Sequence, residues 1–262
     1  SEEREPFTLG GLSNYKVGQE LLDRFFKEKP LDSYHKNLQA KDMLPEGWSG
    51  RRAFQERLNE VRDFGENLSW ILDQQQIEDQ EVDLHVRDFR LTGKLSDIYE
   101  NARIAYRFGS MRPKDVIDLW IKHLCLQAVK PDGHPGISRL FTRHKRKDFV
   151  GYQLGAMEDY ATVLEQLLET YWQGLQQRCY FFPESAFAYA EEVCYKNGAP
   201  ESGLYKAGNK WVRDYGSYPG EGEDPYNKLL LGSENPLQQK AFETAAEQFW
   251  SPFFNAIVEE ED

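Results

Sequence analysis

The sequence predicts a single α/β domain over residues 1–262, in which helices flank a mixed sheet. Apolar and polar residues alternate around Val82, Leu84 and Val86, a pattern typical of a half-buried strand. Other stretches repeat apolar residues every three or four positions, which predicts amphipathic helices. A chain of 262 residues can bury about 70 to 75% of the surface that it exposes when unfolded, so we expect a substantial core.

The first half of the chain predicts helices followed by strands. One helix is predicted over Ser13–Glu28 and another from Ser49 through Asp63, because the apolar residues of each fall on one face. Three short strands are then predicted over Val82–Val86, Leu91–Tyr99 and Arg103–Phe108.

The second half predicts more helix than strand. Pro113 stands where the first turn of a helix tolerates proline, so a helix is predicted from there to Cys125. In a long helix over Met157–Gln176, Tyr160 and Tyr171 are expected to point inward. A loop rich in Gly, Pro and acids follows later, over Gly216–Pro225, with no assigned purpose. The remaining predicted elements are strands over Ile137–Thr142, Phe149–Leu154 and Tyr180–Phe182 and helices over Glu184–Tyr195, Lys206–Tyr215 and Gln238–Val258.

Charge and composition exclude several classes of protein. The net charge of −12 argues against a general nucleic-acid-binding surface, although it leaves room for a local basic groove. Cys125, Cys179 and Cys194 form no CxxC pair, so neither a disulfide framework nor a zinc site is expected and a cytoplasmic location fits best. No run approaches the roughly 18 apolar residues of a membrane span, so no membrane contact is expected.

The sequence contains no motif for a common cofactor or hydrolase site. HExxH, the P-loop, the dinucleotide-binding glycine pattern and GxSxG are all missing from it, so no cofactor is expected. Carboxylates remain as candidates for a Mg²⁺-dependent nuclease, and Asp83, Asp88 and Asp97 lie in or near the predicted hairpin. Solvated acids at the edge of a strand are the more ordinary interpretation.

Two further features suggest contact with DNA or a partner. Basic residues cluster inside this acidic chain at Arg139, Arg143, Lys145, Arg146 and Lys147. They either contact a DNA backbone or partner, or form a solvated hairpin tip. An exposed aromatic side chain can also stack against a terminal base pair. The candidates are Trp48, Trp70 and Trp211, for each of which core packing is the more ordinary expectation.

Several stretches, in order along nearly the whole chain, resemble the C-terminal domain of the RecC family, the gamma subunits of exodeoxyribonuclease V. They are EPFTLGGLSNYKVGQELL from Glu5, LTGKLSDIY from Leu91, AYRFGSMRPKDVIDLWIKHL from Ala105, SRLF from Ser138 and the PES segment from Pro183. The likeness of Lys206–Trp211 and of the GEGED loop extends it through the last third. The chain lacks an initiator Met and is therefore expected to be a C-terminal fragment of a longer multidomain subunit.

The resemblance implies a PD-(D/E)XK restriction-endonuclease-like core with extra helices and a degenerate catalytic site. Ser96 and Ala105 stand where active nucleases of this fold carry acidic metal ligands, and Arg107 stands at the lysine. A hydroxyl and a methyl group cannot replace two carboxylates around a divalent cation, so no catalytic residue and no metal are expected. Asp97 lies one residue from the ligand position, and such a shift along a strand points to the opposite face.

The resemblance also implies partners. A RecC-type subunit works with RecB-type and RecD-type subunits and with a forked or duplex DNA end, in double-strand-break repair and recombination. This chain is then expected to be non-catalytic by itself and to help separate strands, channel DNA and assemble the helicase–nuclease. The alternatives are an active Mg²⁺-dependent nuclease using Asp83, Asp88 and Asp97, and an acidic interaction module unrelated to DNA.

Overall fold

The structure is a computed structural model that describes residues 11–44, 47–144, 147–212 and 219–258. The chain divides into two compact units. Unit 1 comprises Ser1–Gln75, Ile104–Met111 and Leu140–Gly151, and unit 2 comprises Gln76–Arg103, Arg112–Arg139 and Tyr152–Asp262. The division does not test independent folding, so the single domain stays a prediction. Within the described ranges, no helix combines the length and the apolar character that a membrane span requires.

Unit 1 is built mainly from helices. They are α1 (Gly11–Phe26), α2 (His35–Ala40), which follows a 3-10 turn over Asp32–Tyr34, and α3 (Gly47–Leu72). The first helix packs closely on the third, because a Cβ at Gly65 would stand 2.7 Å from the ring of Phe25. The predicted first helix is confirmed, and α3 continues beyond Asp63. No pattern in the sequence predicted α2, in whose six residues Leu38 is the one buried apolar side chain.

Unit 2 begins with a β-hairpin that packs on a helix. β1 (Gln80–Val86) and β2 (Phe89–Leu95) are antiparallel, in register from Gln80 opposite Leu95 to Val86 opposite Phe89. Apolar residues of the hairpin lie against α4 (Pro113–Val129), where Val82 and Leu95 share a buried cluster with Leu126. Alternation predicted these strands correctly because one face of the hairpin is covered and the other is solvated.

A three-stranded sheet contains the other strands. They are β3 (Arg103–Arg107), β4 (Ser138–His144) and β5 (Lys147–Leu154), in the order β3-β4-β5. The α/β class is therefore confirmed. The described strands form a two-stranded and a three-stranded sheet, however, where the sequence predicted one mixed sheet. The finer assignment to a PD-(D/E)XK core stays a prediction.

The rest of unit 2 is a group of helices around an aromatic core. Trp250 packs edge-to-face with Phe187 and Phe249, both at 4.9 Å between ring centroids, and with Phe253 at 5.5 Å. Such pairs add to the stabilisation that burial of the rings gives. The helices are α5 (Tyr160–Gln176), α6 (Pro183–Ala190) with a π-helical turn over Glu191–Tyr195, α7 (Pro200–Trp211), α8 (Pro225–Leu231) and α9 (Lys240–Asn255).

Two expectations for this region were wrong. Tyr180–Phe182 pairs with no strand of the described residues, because Pro183 starts α6 directly after it. Tyr171 on α5 is 63% exposed instead of pointing inward. The predicted loop Gly216–Pro225 lies partly outside the described residues, and a 3-10 turn leads from it into α8. The Asp224 carboxylate, which accepts hydrogen bonds from the first backbone N–H groups of α8, is the cap signal that sequence reading missed.

Candidate nucleic-acid interface

The hairpin end where the sequence analysis placed a lost metal ligand is not a continuous strand. β2 ends at Leu95, and the Ser96 hydroxyl beyond it donates a 3.0 Å hydrogen bond to Asp97 Oδ2. Asp97 has a φ of 61°, in the left-handed region that non-glycine residues rarely adopt. Because Asp97 lies beyond the end of β2, strand alternation does not determine which way its side chain faces. The expectation that Asp97 points away from the ligand position therefore loses its basis.

Ala105 and Arg107 lie on β3 in unit 1, and the arginine is committed to local structure. Its guanidinium lies 4.5 Å from the ring centroid of Tyr15, and its Nε donates a 3.2 Å hydrogen bond to the carbonyl of Ser110. A guanidinium stacked in this way holds the turn after β3. Ala105, two residues before Arg107, is half-buried. Its side chain is a methyl group, which has no atom that could bind a metal.

Arg103 is a buried cation that the sequence analysis overlooked. Its side chain is 1% exposed, and its Nε and Nη1 have no hydrogen-bond partner among the described residues. Burial lowers the pKa of this guanidinium, and the carboxylates of Asp118 and Asp97 oppose that effect. A fixed positive charge therefore lies near Asp97 in unit 2. An arginine at the start of the predicted strand, two residues before Ala105, was the available signal.

The other acidic candidates are engaged or solvated. Asp83 receives two hydrogen bonds of 2.8 Å from the Arg90 guanidinium, which lowers the pKa of the Asp83 carboxyl. Asp88 is exposed in the turn between β1 and β2. Nowhere in the part of the chain that the structure describes do three His, Cys, Asp or Glu side chains group as metal ligands.

The predicted basic cluster lies only partly within the described residues. Lys145 and Arg146 fall outside them, and of Lys147 only the backbone, at the start of β5, is described. Arg139 is half-buried on β4. Arg143 is engaged in unit 1, where its Nη2 lies 2.7 Å from Glu60 Oε1.

The ion pair of Arg143 is part of a packed network. Glu60 also pairs with Arg57 at 2.7 Å, and both guanidinium groups lie over the buried ring of Phe108, at 5.6 Å for Arg57 and 5.4 Å for Arg143. DNA would have to displace Glu60 to reach this cation. Arg143 is therefore a weaker candidate for phosphate contact than its place in the sequence indicated.

A groove on unit 1 brings together cations that the sequence analysis did not connect. It lies between α2 and the start of α3, has a volume of about 610 Å³, and is lined by no carboxylate of the described residues. Lys36 and Arg51 are exposed there, and no carboxylate of the described residues pairs with either. The lining residues are His35, Lys36, Gln39, Ala40, Gly47 and Arg51.

Of the side chains that line this groove, His35 is the one whose ordinary pKa lies nearest to pH 7. Its ring packs edge-on against Phe54 at 5.2 Å, and its Nε2 has no hydrogen-bond partner among the described residues. Burial lowers the pKa of His35, and the positive charge of Arg51 lowers it further. The imidazole is therefore neutral at pH 7, and the charge of the groove comes from Lys36 and Arg51.

Two of the three candidate tryptophans are exposed, so core packing was the wrong expectation for them. Trp48 in the first turn of α3 is 74% exposed and Trp70 near its end is 81% exposed. Trp211 instead packs against Phe182, with ring centroids 4.9 Å apart. Trp48 directly follows Gly47, which lines the groove, and the guanidinium of Arg52 lies 5.9 Å from the Trp48 ring.

Comparison with known proteins gives a consistent result. Residues 1–194 match the family model of the RecC C-terminal domain. The chain is 28% identical over 258 residues to the RecBCD enzyme subunit RecC of Escherichia coli K12, a match that covers 95% of this chain and 22% of the relative. It is 23% identical over 263 residues to the RecBCD enzyme subunit RecC of Buchnera aphidicola from Acyrthosiphon pisum, covering 95% and 23%. The chain thus spans 22 to 23% of the length of these curated relatives.

Proposed function

This chain belongs to the RecC C-terminal domain family, and we propose that it is a non-catalytic DNA-processing module of a RecBCD-type helicase–nuclease. In this role it helps to separate duplex strands, to channel DNA and to assemble RecB-type and RecD-type subunits during double-strand-break repair. The observation that carries the proposal is the match to relatives named as RecBCD enzyme subunits, which extends over 95% of the chain.

The chemistry of the degenerate positions supports the non-catalytic part. Ser96 offers a hydroxyl that is already bonded to Asp97, and the positive charge of Arg103 lies near that same carboxylate. A divalent cation at Asp97 would be repelled by this buried guanidinium, and repulsion between charges is strong where water is excluded. Arg107, packed on Tyr15, cannot take the part of a catalytic lysine, because an arginine stays protonated.

Assembly is supported by exposed apolar side chains on two helices of unit 2. On α8 the residues Tyr226, Leu229 and Leu230 stand at the i, i+3, i+4 spacing of one helix face, and Leu229 is 85% exposed. On α5 the exposed residues are Tyr171, Trp172 and Leu175. These six residues are called the α5–α8 surface below. Exposed apolar patches of this kind mark protein contacts.

Polar contacts join the segments that follow α5 and α8. Glu234, shortly after α8, lies 2.7 Å from Arg178 Nη1 and accepts a 2.9 Å hydrogen bond from the Tyr180 hydroxyl, and both partners follow α5. The C-terminal ends of the two helices are therefore adjacent. Glu169 lies on α5 and Glu223 lies just before α8, and the one basic residue of α8, Lys228, pairs with Glu223. This charge favours a protein segment with basic flanks over DNA.

Co-purification with the cognate RecB-type and RecD-type subunits, followed by a cleavage assay, tests the proposal. We expect stable capture of at least one subunit and no hydrolysis of linear DNA by the chain alone in Mg²⁺ or Mn²⁺. Metal-dependent cleavage that an Asp97→Asn variant loses would establish the active nuclease instead. Failure to capture either subunit would remove the assembly role.

A further inference from the structure

We propose that the groove between α2 and α3 binds a segment of single-stranded DNA, with Trp48 stacked on a base and Lys36 and Arg51 contacting backbone phosphates. The inference rests on the proposed function, since that function brings separated strands to the chain. It goes further by placing the contact outside the predicted basic cluster and by assigning each side chain a task.

The charge of the groove favours an anionic ligand. The chain as a whole carries a net charge of −12, yet the described residues that line this groove include no carboxylate. Cations elsewhere on these helices are neutralised, as the pairs of Lys41 with Glu20 at 2.9 Å and of Arg62 with Asp32 at 2.8 Å show. Lys36 and Arg51 have no such partner among the described residues, so their charge is available to a phosphate.

The aromatic side chain favours a single strand over a duplex. Grooves that bind single strands combine positive charge, which follows the backbone, with exposed rings on which unpaired bases stack. Trp48 and Arg51 are three residues apart on α3 and are therefore neighbours on one helical face. The Arg52 guanidinium lies beside the Trp48 ring and is neutralised by Glu56 at 2.8 Å, so it supports the ring rather than adding free charge.

His35 forms part of the groove wall. Its ring packs edge-on against Phe54 and its Nε2 is buried, so the contacts proposed for DNA are those of Trp48, Lys36 and Arg51.

The test is a titration of labelled oligo-dT with the 262-residue chain at low salt, read by fluorescence anisotropy. We expect Trp48→Ala to weaken binding about 5- to 100-fold, the range that the loss of one stacked base gives. Trp70→Ala is the matched control, because Trp70 is at least as exposed and lies on the same helix. It should bind like the unmodified chain.

The salt dependence of binding tests the contribution of the two cations, independently of the stacking by Trp48. Replacing both Lys36 and Arg51 by alanine should make the slope of log K against log salt shallower by about 1.4, the value for two phosphate contacts to a single strand. Arg62→Ala, which removes a cation already paired with Asp32, should leave the slope unchanged.

The outcomes separate this inference from the proposed function. If Trp48→Ala and Trp70→Ala bind oligo-dT equally, or if duplex of the same length binds as tightly as the single strand, the inference is overturned. If the chain captures its subunits but binds no oligo-dT, the groove assignment fails and the proposed function stands. If it neither captures subunits nor binds DNA, both fail.

Discussion

The groove of unit 1 and the α5–α8 surface of unit 2 both expose large aromatic side chains, but their surroundings differ. Trp48 lies three residues from Arg51, which pairs with no described carboxylate, although Arg52 beside its ring pairs with Glu56. Trp172 lies three residues after Glu169 on α5, and Tyr226 lies on α8, whose one lysine is paired with Glu223. An exposed ring by itself specifies no ligand, because bases and apolar side chains both stack on it. We expect the charge around the ring to decide which ligand binds. The groove is therefore proposed to bind DNA and the α5–α8 surface to bind protein.

The largest effect is expected from a charge placed on the α5–α8 surface. Leu229→Glu should reduce subunit capture by more than about 100-fold, because the partner would bury an uncompensated carboxylate. Leu229 is 85% exposed in the chain alone, so folding should be unaffected. Quantitative pull-down with RecB-type and RecD-type subunits measures the loss. Ile121→Glu, at an exposed apolar position on α4, is the matched control and should retain capture.

A second prediction concerns the stability of the chain and a histidine whose pKa burial lowers. His123 is fully buried on α4, where its Nδ1 lies 3.0 Å from Ser138 Oγ and burial lowers its pKa to about 4. As the pH falls below about 6.5, the unfolded chain takes up a proton that the folded chain refuses, so the folded state loses stability. We expect this group to lower the free energy of unfolding by about 2 kcal/mol between pH 7 and pH 5.

Urea unfolding at the two pH values measures this loss. His123→Gln should remove most of the pH dependence in this window, even if it lowers stability at pH 7. His85→Gln, at an exposed position on β1, should leave the pH dependence as it is. Equal pH profiles for both variants would show that His123 is not the group responsible.

A charge reversal in the groove is expected to have an intermediate effect. Arg51→Glu should weaken oligo-dT binding about 10-fold at low salt, since it replaces a phosphate contact by a repulsion. Subunit capture should not change, while Leu229→Glu should leave oligo-dT binding unchanged. Both activities are measured on both variants. A substitution that weakened both oligo-dT binding and subunit capture would contradict the assignment of different ligands to the two surfaces.

The smallest effect is expected from the histidine of the groove. His35 is neutral at pH 7, and protonation below its lowered pKa would add a charge beside Lys36 and Arg51, the other charged groups that line the groove. Oligo-dT binding should therefore tighten modestly as the pH falls from 7.5 through this lowered pKa. His35→Gln should lose this gain in a fluorescence titration, and His85→Gln should keep it.

Sequence patterns predicted the elements of this fold better than its surfaces. The strands of the hairpin and the long α4 and α9 helices follow from apolar periodicity, since burial of one face dictates both the pattern and the structure. Short α2 and α8 were missed because each has too few turns for a period to emerge. Both of these helices contribute to the candidate contacts.

The candidate site was less predictable because charges are neutralised in space rather than along the chain. Arg143 stood out in a basic run, yet it pairs with Glu60 from a distant helix. Lys36 and Arg51 are unremarked in the sequence, and only the packing of α2 beside α3 puts them in one groove. Whether Trp48 is buried or exposed likewise depends on which face of α3 the core covers.

The buried guanidinium of Arg103 bears on the reversibility of the degenerate hairpin end. A Ser96→Asp substitution would place a second carboxylate beside Asp97, and Arg103 would attract it into an ion pair instead of leaving it to a divalent cation. Removal of Arg103 alone would leave a cavity in the interior and gain no ligand. Neither single change is therefore expected to create a metal centre at this place.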